Sequence, residues 1–518
     1  MNTKSTAFIA MALIAAAGTP ALAQWSDDST IHQVVADGSG EQVQPKMVPT
    51  LDGGCYISWY SSEVGYDVRL QRLDASGNEM WAHNGILIAD RGFSSTEDYG
   101  LDVDSNGNAV LAFRDDRFGG VVVTAQSIAP DGTALWGANG VQLGNSADSI
   151  HSPDIASTSD GKAVVGWINN LDTNLAQIDE MGSTVWTTAL SDPGGQSINV
   201  ASMHRSDNGA VIVSWVQYGF FLGPKHLHAQ KIASNGTEAW ASPAAVFDGG
   251  SLQFGNYPEF VADGSGGAVF SWYDTANGLN VYAQHILSDG SEAFPHDGAV
   301  ASTVLRERVS PAATYDPATD SVYVSWVELD NNQGNHGVYA QRIDASGARL
   351  WTDGGKVISA IDTLESGTIN TNVLDGNLVV SWIENAGGFG LEQVLAHAVK
   401  PDGTDAWAGG TVAVASDSAE RARLTTTVSS DGFLIAGWQV GDFGVADLET
   451  HNINADGSLG VSICAADLTG DGSLNFLDVS AFLSAFGSMD PAADFEADGS
   501  FNFLDVSAFL SAFGAGCP

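Results

Sequence analysis

One constraint outranks every other in this chain: a phrase keeps returning with a period of about 54 residues. It is plainest at residues 338–351, VYAQRIDASGARLW, preceded by the apolar run VYVSW at 322–326, and versions recur from residue 54 to residue 459. Two aromatic anchors mark it. The first closes an alternating apolar run, at Trp59, Phe113, Trp167, Trp215, Trp272, Trp326, Trp382 and Trp438, spaced 48 to 57 residues apart. The second comes after a Gly-x-x-x pattern, at Trp81, Trp136, Trp351 and Trp407, with Trp186, Trp240 and Phe294 in equivalent places. A fixed period of this length means a repeat architecture, because no single unit can bury its own apolar face.

Each unit resolves into four strand-like pieces, A to D, separated by Asp-Gly, Asn-Gly and Ser-Gly turns that tolerate positive φ. Four antiparallel strands at this period make one blade, so the expected fold is all-β: an eight-bladed β-propeller. Two four-bladed propellers or a solenoid are the alternatives. The phrase itself reads as strand C, a turn and strand D, with its Trp at the end of D. The eighth A-B-C set has no such D piece after residue 457, while Trp25 precedes Trp59 by 34 residues, close to the 29 to 32 found elsewhere. Residues 24–36 are therefore expected to supply the missing strand and to clasp residues 447–454, which closes one ring and hides two sheet edges.

The 60 glycines and 14 tryptophans suit short strands joined by tight turns. A formal charge of −43 disfavours nucleic acid and anionic membranes as partners. Residues 1–23 read as a secretory signal: Lys4, an apolar core at 8–18, and Ala21-Leu22-Ala23 before Gln24. No transmembrane segment is expected, and the product is expected to be secreted, extracellular or surface-associated. In that oxidising setting Cys464 and Cys517 are expected to pair, a closure of about fifty residues that stabilises by about 4 kcal/mol. Cys55, inside an apolar strand, reads as a buried, inert thiol.

Blade geometry places the A–B and C–D turns on one face and the longer, more variable B–C and D–A loops on the other. A glycan or protein ligand is expected on that second face, around the axial channel. Other chemistry is thin. His226 and His228 share one side of a strand without a third metal ligand, and residues 264–267 form a hairpin turn with no helix after it. Residues 114–117, RDDR, read as a surface ion-pair cluster, and no Gly-x-Ser-x-Gly elbow occurs. The Gly-x-x-x-Trp segments at 74–81, 344–351 and 401–407 resemble the tryptophan-docking motif of eight-bladed quinoprotein propellers, whose indole packs on the neighbouring blade. The adjacent cysteine pair of those enzymes is missing, and so is the sialidase Asp-box spacing. The whole phrase resembles a repeat of large secreted bacterial proteins of unknown activity, a resemblance that implies no catalytic residues.

After residue 460 the pattern changes. NFLDVSAFLSAFG occurs unchanged at 475–487 and 502–514, each time after an acidic loop. Asp467, Thr469, Asp471, Asn475 and Asp478 occupy places 1, 3, 5, 9 and 12 of the first loop, and Asp494, Glu496, Asp498, Asn502 and Asp505 those of the second. Ser473 and Ser500 can add backbone carbonyls, and Gly472 and Gly499 allow the sharp turn. Such oxygen spacing wraps a hard cation, so two calcium ions are the expected cofactors. Helical spacing turns Val479, Phe482 and Phe486, with Val506, Phe509 and Phe513, inward. It leaves Phe476, Leu477, Leu483, Phe503, Leu504 and Leu510 outside as a partner face. The duplication, with Asp at the last place and the closing Gly-x-Cys-Pro, resembles a dockerin of the kind on secreted proteins of planctomycete-like bacteria. That resemblance implies a small all-α calcium-binding domain and a cohesin-like protein or surface anchor as partner. Thr469 and Glu496 depart from the usual Asn or Asp.

The expected organisation is a signal at 1–23, a propeller at 24–460 and a dockerin-like domain at 461–518. The expected function is non-enzymatic binding or display on an extracellular complex or surface. A secreted polysaccharide-active enzyme, a hydrolase or lyase, is the alternative. Acids clustered over the channel would favour the enzyme, and a channel of backbone and small residues the binding protein.

Overall fold

The computed structural model describes residues 24–63, 65–92, 96–275, 278–362, 365–385, 387, 390–461, 466–469, 474–495 and 500–515. Its eight four-stranded antiparallel sheets are the eight blades of one propeller. Blade 1 runs Gln42–Pro49, Cys55–Ser61, Asp67–Leu73 and Ile86–Ala89 from the axis outward, and the same A-B-C-D order repeats around the ring. All eight strand-B aromatics are buried between blades, at 3% exposure or less.

Closure is the expected one. Blade 8 takes its outer strand from the other end of the chain: Gln33–Ala36 pairs with Asp447–Ile453, Gln33 opposite Thr450 and Ala36 opposite Leu448. Trp25, Val35 and Ala36 then share one core cluster with Met47, Cys55 and Trp59 of blade 1 and Ile435 and Leu448 of blade 8. Cys55 is wholly buried, and that burial pushes its thiol pKa up.

The reading of the Trp as part of strand D needs correction. After strand C the chain makes a turn and one isolated bridge, such as Ile343 to Arg349, and then leaves the ladder. Strand D resumes only after the Trp, at Lys356–Ser359 in blade 6. The reason lies in the Ala-Gln pair of strand C. The Gln341 side chain accepts the Trp351 N–H at 3.0 Å and donates to the Thr352 carbonyl at 2.9 Å, so it takes over the ladder's hydrogen bonds. Gln71, Gln126, Gln230 and Gln284 receive the N–H of Trp81, Trp136, Trp240 and Phe294 in the same way. Blade 7 does without the Gln: His397 holds that place and bonds to Thr411 and Asp405. Blade 3 departs in the other direction. There Trp186 lies within a regular strand, Thr184–Leu190, and the Gln177 amide has no partner among the described residues.

Each indole reaches the next blade, whether it has left the ladder or, like Trp186, still lies within it. Trp25, Trp81, Trp186, Trp240, Trp351 and Trp407 donate their ring N–H to the carbonyls of Ala75, Pro130, Ser234, Ser288, Pro401 and Ala455, at 2.8 to 3.2 Å. Each ring covers a turn glycine of that blade. Gly457, at φ +87, is typical: a Cβ there would stand 2.6 Å from the Trp407 ring. Eight such contacts run around the ring without a break, the eighth from Trp25 to Gly77.

The tail forms two helices, Phe476–Ser488 and Phe503–Ala515. Phe482 and Phe509, equivalent residues of the duplicated segment, stack face to face at 4.1 Å and 6° and are both 1% exposed. Val479, Phe486, Val506 and Phe513 pack against them, as helical spacing predicts. Among the described residues no helix is long and apolar enough to cross a membrane.

Candidate functional site

The axial channel is where eight diverged copies of one strand meet. A cavity of about 1070 Å³ runs along it, lined by residues of every blade. Strand A carries a register break near its start in blades 1, 3, 4, 6, 7 and 8. In five of these the break holds a non-glycine residue at positive φ: Gln44, Ser152, Ser310, Thr368 and Arg423, at φ from +42 to +57. Such conformations each cost on the order of 1–3 kcal/mol and persist only where the surroundings enforce them. Bulges of this kind re-aim the side chains beyond them.

Strand register sets which side chains face the channel. Lys46, Gly100, Asp154, Ser202, Ala312, Asn370 and Thr425 each pair with the residue just before the strand-B aromatic, and Glu259 holds that place in blade 5, directly before the Phe260–Phe270 pair. Seven of these eight line the cavity. The ring is asymmetric: ionisable groups occupy blades 1, 3 and 5, and small or neutral polar ones blades 6 to 8. Asp98 adds a carboxylate 2.8 Å from Lys46 Nζ. Asp102 and His204 lie two residues further along strand A.

The groups perturb one another. Burial opposes charge on Lys46, but Asp98, Glu259 and Asp154 outweigh it and hold the ammonium above the ordinary lysine range. Burial raises Asp154 to about 7, helped by Asp98 and Glu259 and opposed by Lys46. Burial lowers His204. A perturbed carboxyl in a cavity is a functional-site signal. Reading the sequence blade by blade did not find this set, although aligning the repeats on the strand-B aromatic would have done so.

The variable loops widen the mouth between blades 4 and 5. Phe221 meets Phe254 edge to face at 4.7 Å, and Phe254 and Tyr257 also line the cavity. Beneath them Lys225 is buried, its Nζ donating to the carbonyls of Phe221 and Gly223 and lying 5.3 Å from the Phe254 ring.

The other sequence candidates resolve as structure. His228 stacks on Trp215, and burial lowers its pKa to about 4. The 114–117 cluster is ionic but not superficial: Asp115 is wholly buried, paired with Arg117 at 2.7 Å and receiving the Thr124 hydroxyl, because strand B extends through it. A group that the sequence did not single out, exposed Asp248 and His296 with half-buried Asp297, also resolves as structure, since His296 is engaged by Glu292 and Asp248 at 3.0 Å each. His83 repeats this with Glu79 and Asp37. Both are clamps between blades, at the 4–5 and 8–1 junctions on opposite sides of the ring.

In the tail, Asn475 and Asp478 form a capping box: Asn475 Oδ1 accepts the Leu477 N–H and Asp478 Oδ2 the Asn475 N–H. Asn502 and Asp505 do the same for the second helix. The cap alone explains those four residues, but the first loop goes further. Thr469 Oγ1 stands 3.1 Å from Asp467 Oδ1 and 2.8 Å from Asp478 Oδ1, so three oxygen donors converge and their chemistry fits a hard cation. Asp494 and Ser500 precede the second helix. Asp471, Ser473, Glu496, Asp498, Cys464, Cys517 and the 1–23 signal lie outside the described residues. All six residues of the expected partner face are exposed, from 56% at Leu504 and Leu510 to 78% at Phe476 and Phe503.

No family model and no curated protein matches the chain. Solved structures match in fold. One is the Dos1 propeller (12% identity, TM-score 0.46, covering 81% of this chain and 95% of that one). A second is a protein of unknown function from Dyadobacter fermentans DSM 18053 (10%, 0.38, 81% and 98%). A third is a PL25 ulvan lyase (10%, 0.44, 83% and 98%). Likeness at this identity is likeness of architecture only.

Proposed function

We propose that this chain is an exported, non-enzymatic propeller that binds a ligand at the mouth of its channel and is held to an extracellular complex or surface by its tail, a dockerin-like domain folded around two calcium ions. The observation that carries the tether is the duplicated helix pair. The helices turn Val479, Phe482, Phe486 and their copies Val506, Phe509 and Phe513 into a core that Leu468, Leu474, Phe495 and Phe501 extend, and leave another six, identical in the two copies, in solvent. Exposed apolar groups in so acidic a chain serve a partner, and a cohesin-like protein is the partner class that the resemblance implies.

The test is surface plasmon resonance of the full chain over immobilised cohesin-like modules, with calcium and with chelator. Binding should require calcium. Phe476→Ala or Phe503→Ala alone should weaken it little, because the other copy remains, and the double substitution should abolish it. Binding that survives chelation would sink the tether.

One observation favours the alternative of a polysaccharide-active enzyme. The acids over the channel include Asp154 at about 7 with Glu259 and Asp98 nearby, and a carboxyl near neutrality suits general acid or base work. Apart from Arg423, blades 6 to 8 line the same channel with uncharged side chains, mostly small, hydroxyl and amide ones, the lining expected of a binding protein. A reducing-sugar assay on the full chain decides: turnover that is lost in Asp154→Asn ends the non-enzymatic reading.

A further inference from the structure

We propose that the channel mouth between blades 4 and 5 docks a cationic peptide segment, with a Lys or Arg against Asp154 and Glu259 and the neighbouring apolar side chains on the Phe221–Phe254 platform. This deepens the proposed binding role and rests on it.

Three independent features point to that chemistry. The first is charge. The cavity wall carries Asp98, Asp102, Asp154 and Glu259 against Lys46 and Arg423. Lys46 is taken by Asp98 at 2.8 Å, and Asp102 by the Ser157 N–H and hydroxyl at 2.7 Å each. Glu259 is exposed and makes no hydrogen bond or ion pair among the described residues, and with Asp154 it shares only the longer-range attraction of Lys46. A cation completes this wall, whereas an anionic ligand meets both the wall and a chain of charge −43. Arg423 stands on blade 8, across the ring from blade 4, so the field runs across the channel and orients what enters.

The second feature is the platform. Phe220, Phe221, Leu222 and Phe254 are 61 to 81% exposed and Tyr257 41%, an apolar patch continuous with the acidic wall through Phe254, Tyr257 and Glu259. The third is that the patch is built. Lys225 ties its loop from beneath through two carbonyls, and its own backbone engages Ser251 and Leu252 of the adjoining loop. An apolar shelf that runs into Glu259, with Asp154 on the same cavity wall, fits a peptide that alternates basic and apolar residues. A neutral oligosaccharide would use the rings but not the excess charge.

The experiment is selection of a displayed random 12-residue peptide library on the immobilised full-length protein, followed by fluorescence anisotropy of enriched peptides and of a neutral glucan hexasaccharide. Enriched peptides should be net positive, with an aromatic or aliphatic residue beside Lys or Arg. Affinity should fall at least tenfold in Asp154→Asn/Glu259→Gln, at least tenfold in Phe221→Ala/Phe254→Ala, and on adding salt. Met181→Ala, exposed on the opposite face, should bind as the parent does. Misfolding is excluded by melting curves, since Asp154→Asn should stabilise the protein at pH 8. Enrichment of acidic or neutral peptides, no enrichment over the charge variant, or tight binding of the hexasaccharide overturns the proposal. Chelation should leave peptide binding intact, so a failed tether and a failed peptide site are told apart.

Discussion

The body and the tail are both built by repetition, but they preserve opposite things. Among the eight blades the docking contacts persist while the channel ring diverges: Trp or Phe on glycine recurs eight times, yet Lys46, Gly100, Asp154, Ser202, Glu259, Ala312, Asn370 and Thr425 are all different. In the tail even the exposed residues are identical between copies. A ring closes only if every junction is good, so the junction is what its repeats share, and the channel is free to become asymmetric. Two hands that pack face to face need only their inward residues alike, so identity on the outside answers to something other than folding.

The largest effect should come from opening the ring. Deleting residues 24–36 removes the strand and the Trp25 dock, exposing the edge of Asp447–Ile453. The melting temperature should fall by roughly 10 °C or more in calorimetry, and an unchanged curve would show that the junctions are not equivalent. Chelating calcium should come next, with loss of helical circular dichroism from the tail and no change in the propeller transition. Helix signal that is indifferent to metal would leave the capping boxes as the whole explanation of those acids.

Single junctions should sort by hydrogen bond. Trp407→Phe loses a 2.8 Å bond to Ala455 and should cost about 1 kcal/mol. The Trp136 ring nitrogen has no partner among the described residues, so Trp136→Phe should cost less than that on denaturant titration. Equal losses would mean that packing alone holds the blades.

Titration separates scaffold from site. Asp154 has its pKa raised in the fold, so the stability it contributes is full below its unfolded value near 4 and is lost as pH rises through about 7. Asp154→Asn should therefore raise the melting temperature at pH 8 and leave it unchanged at pH 3.5. The smallest effect belongs to the blade clamps. Burial opposes charge on His83, yet Glu79 and Asp37 raise its pKa, and Glu292 and Asp248 raise that of His296. Their stabilisation is complete below the unfolded value near 6.5 and is lost as pH rises through the higher folded value. These rings are about half exposed, so each clamp contributes on the order of 0.5 kcal/mol or less. His83→Gln should flatten the stability curve above pH 6.5 without changing it much elsewhere.

The period, the blade count, the displaced strand and the inward and outward faces of the tail helices are all legible in the sequence. Each comes from the spacing of apolar and turn residues, which is local. The sequence misread the Trp as part of strand D, because only folding lets the Gln341 side chain stand in for a ladder partner ten residues away. It took Asp115 for a surface residue, because burial depends on what packs over a strand. Repeat alignment can give the shared position of Lys46, Asp154 and Glu259, but not their interaction: with Asp98 they lie far apart along the chain, and only closure of the ring brings their charges within reach of one another.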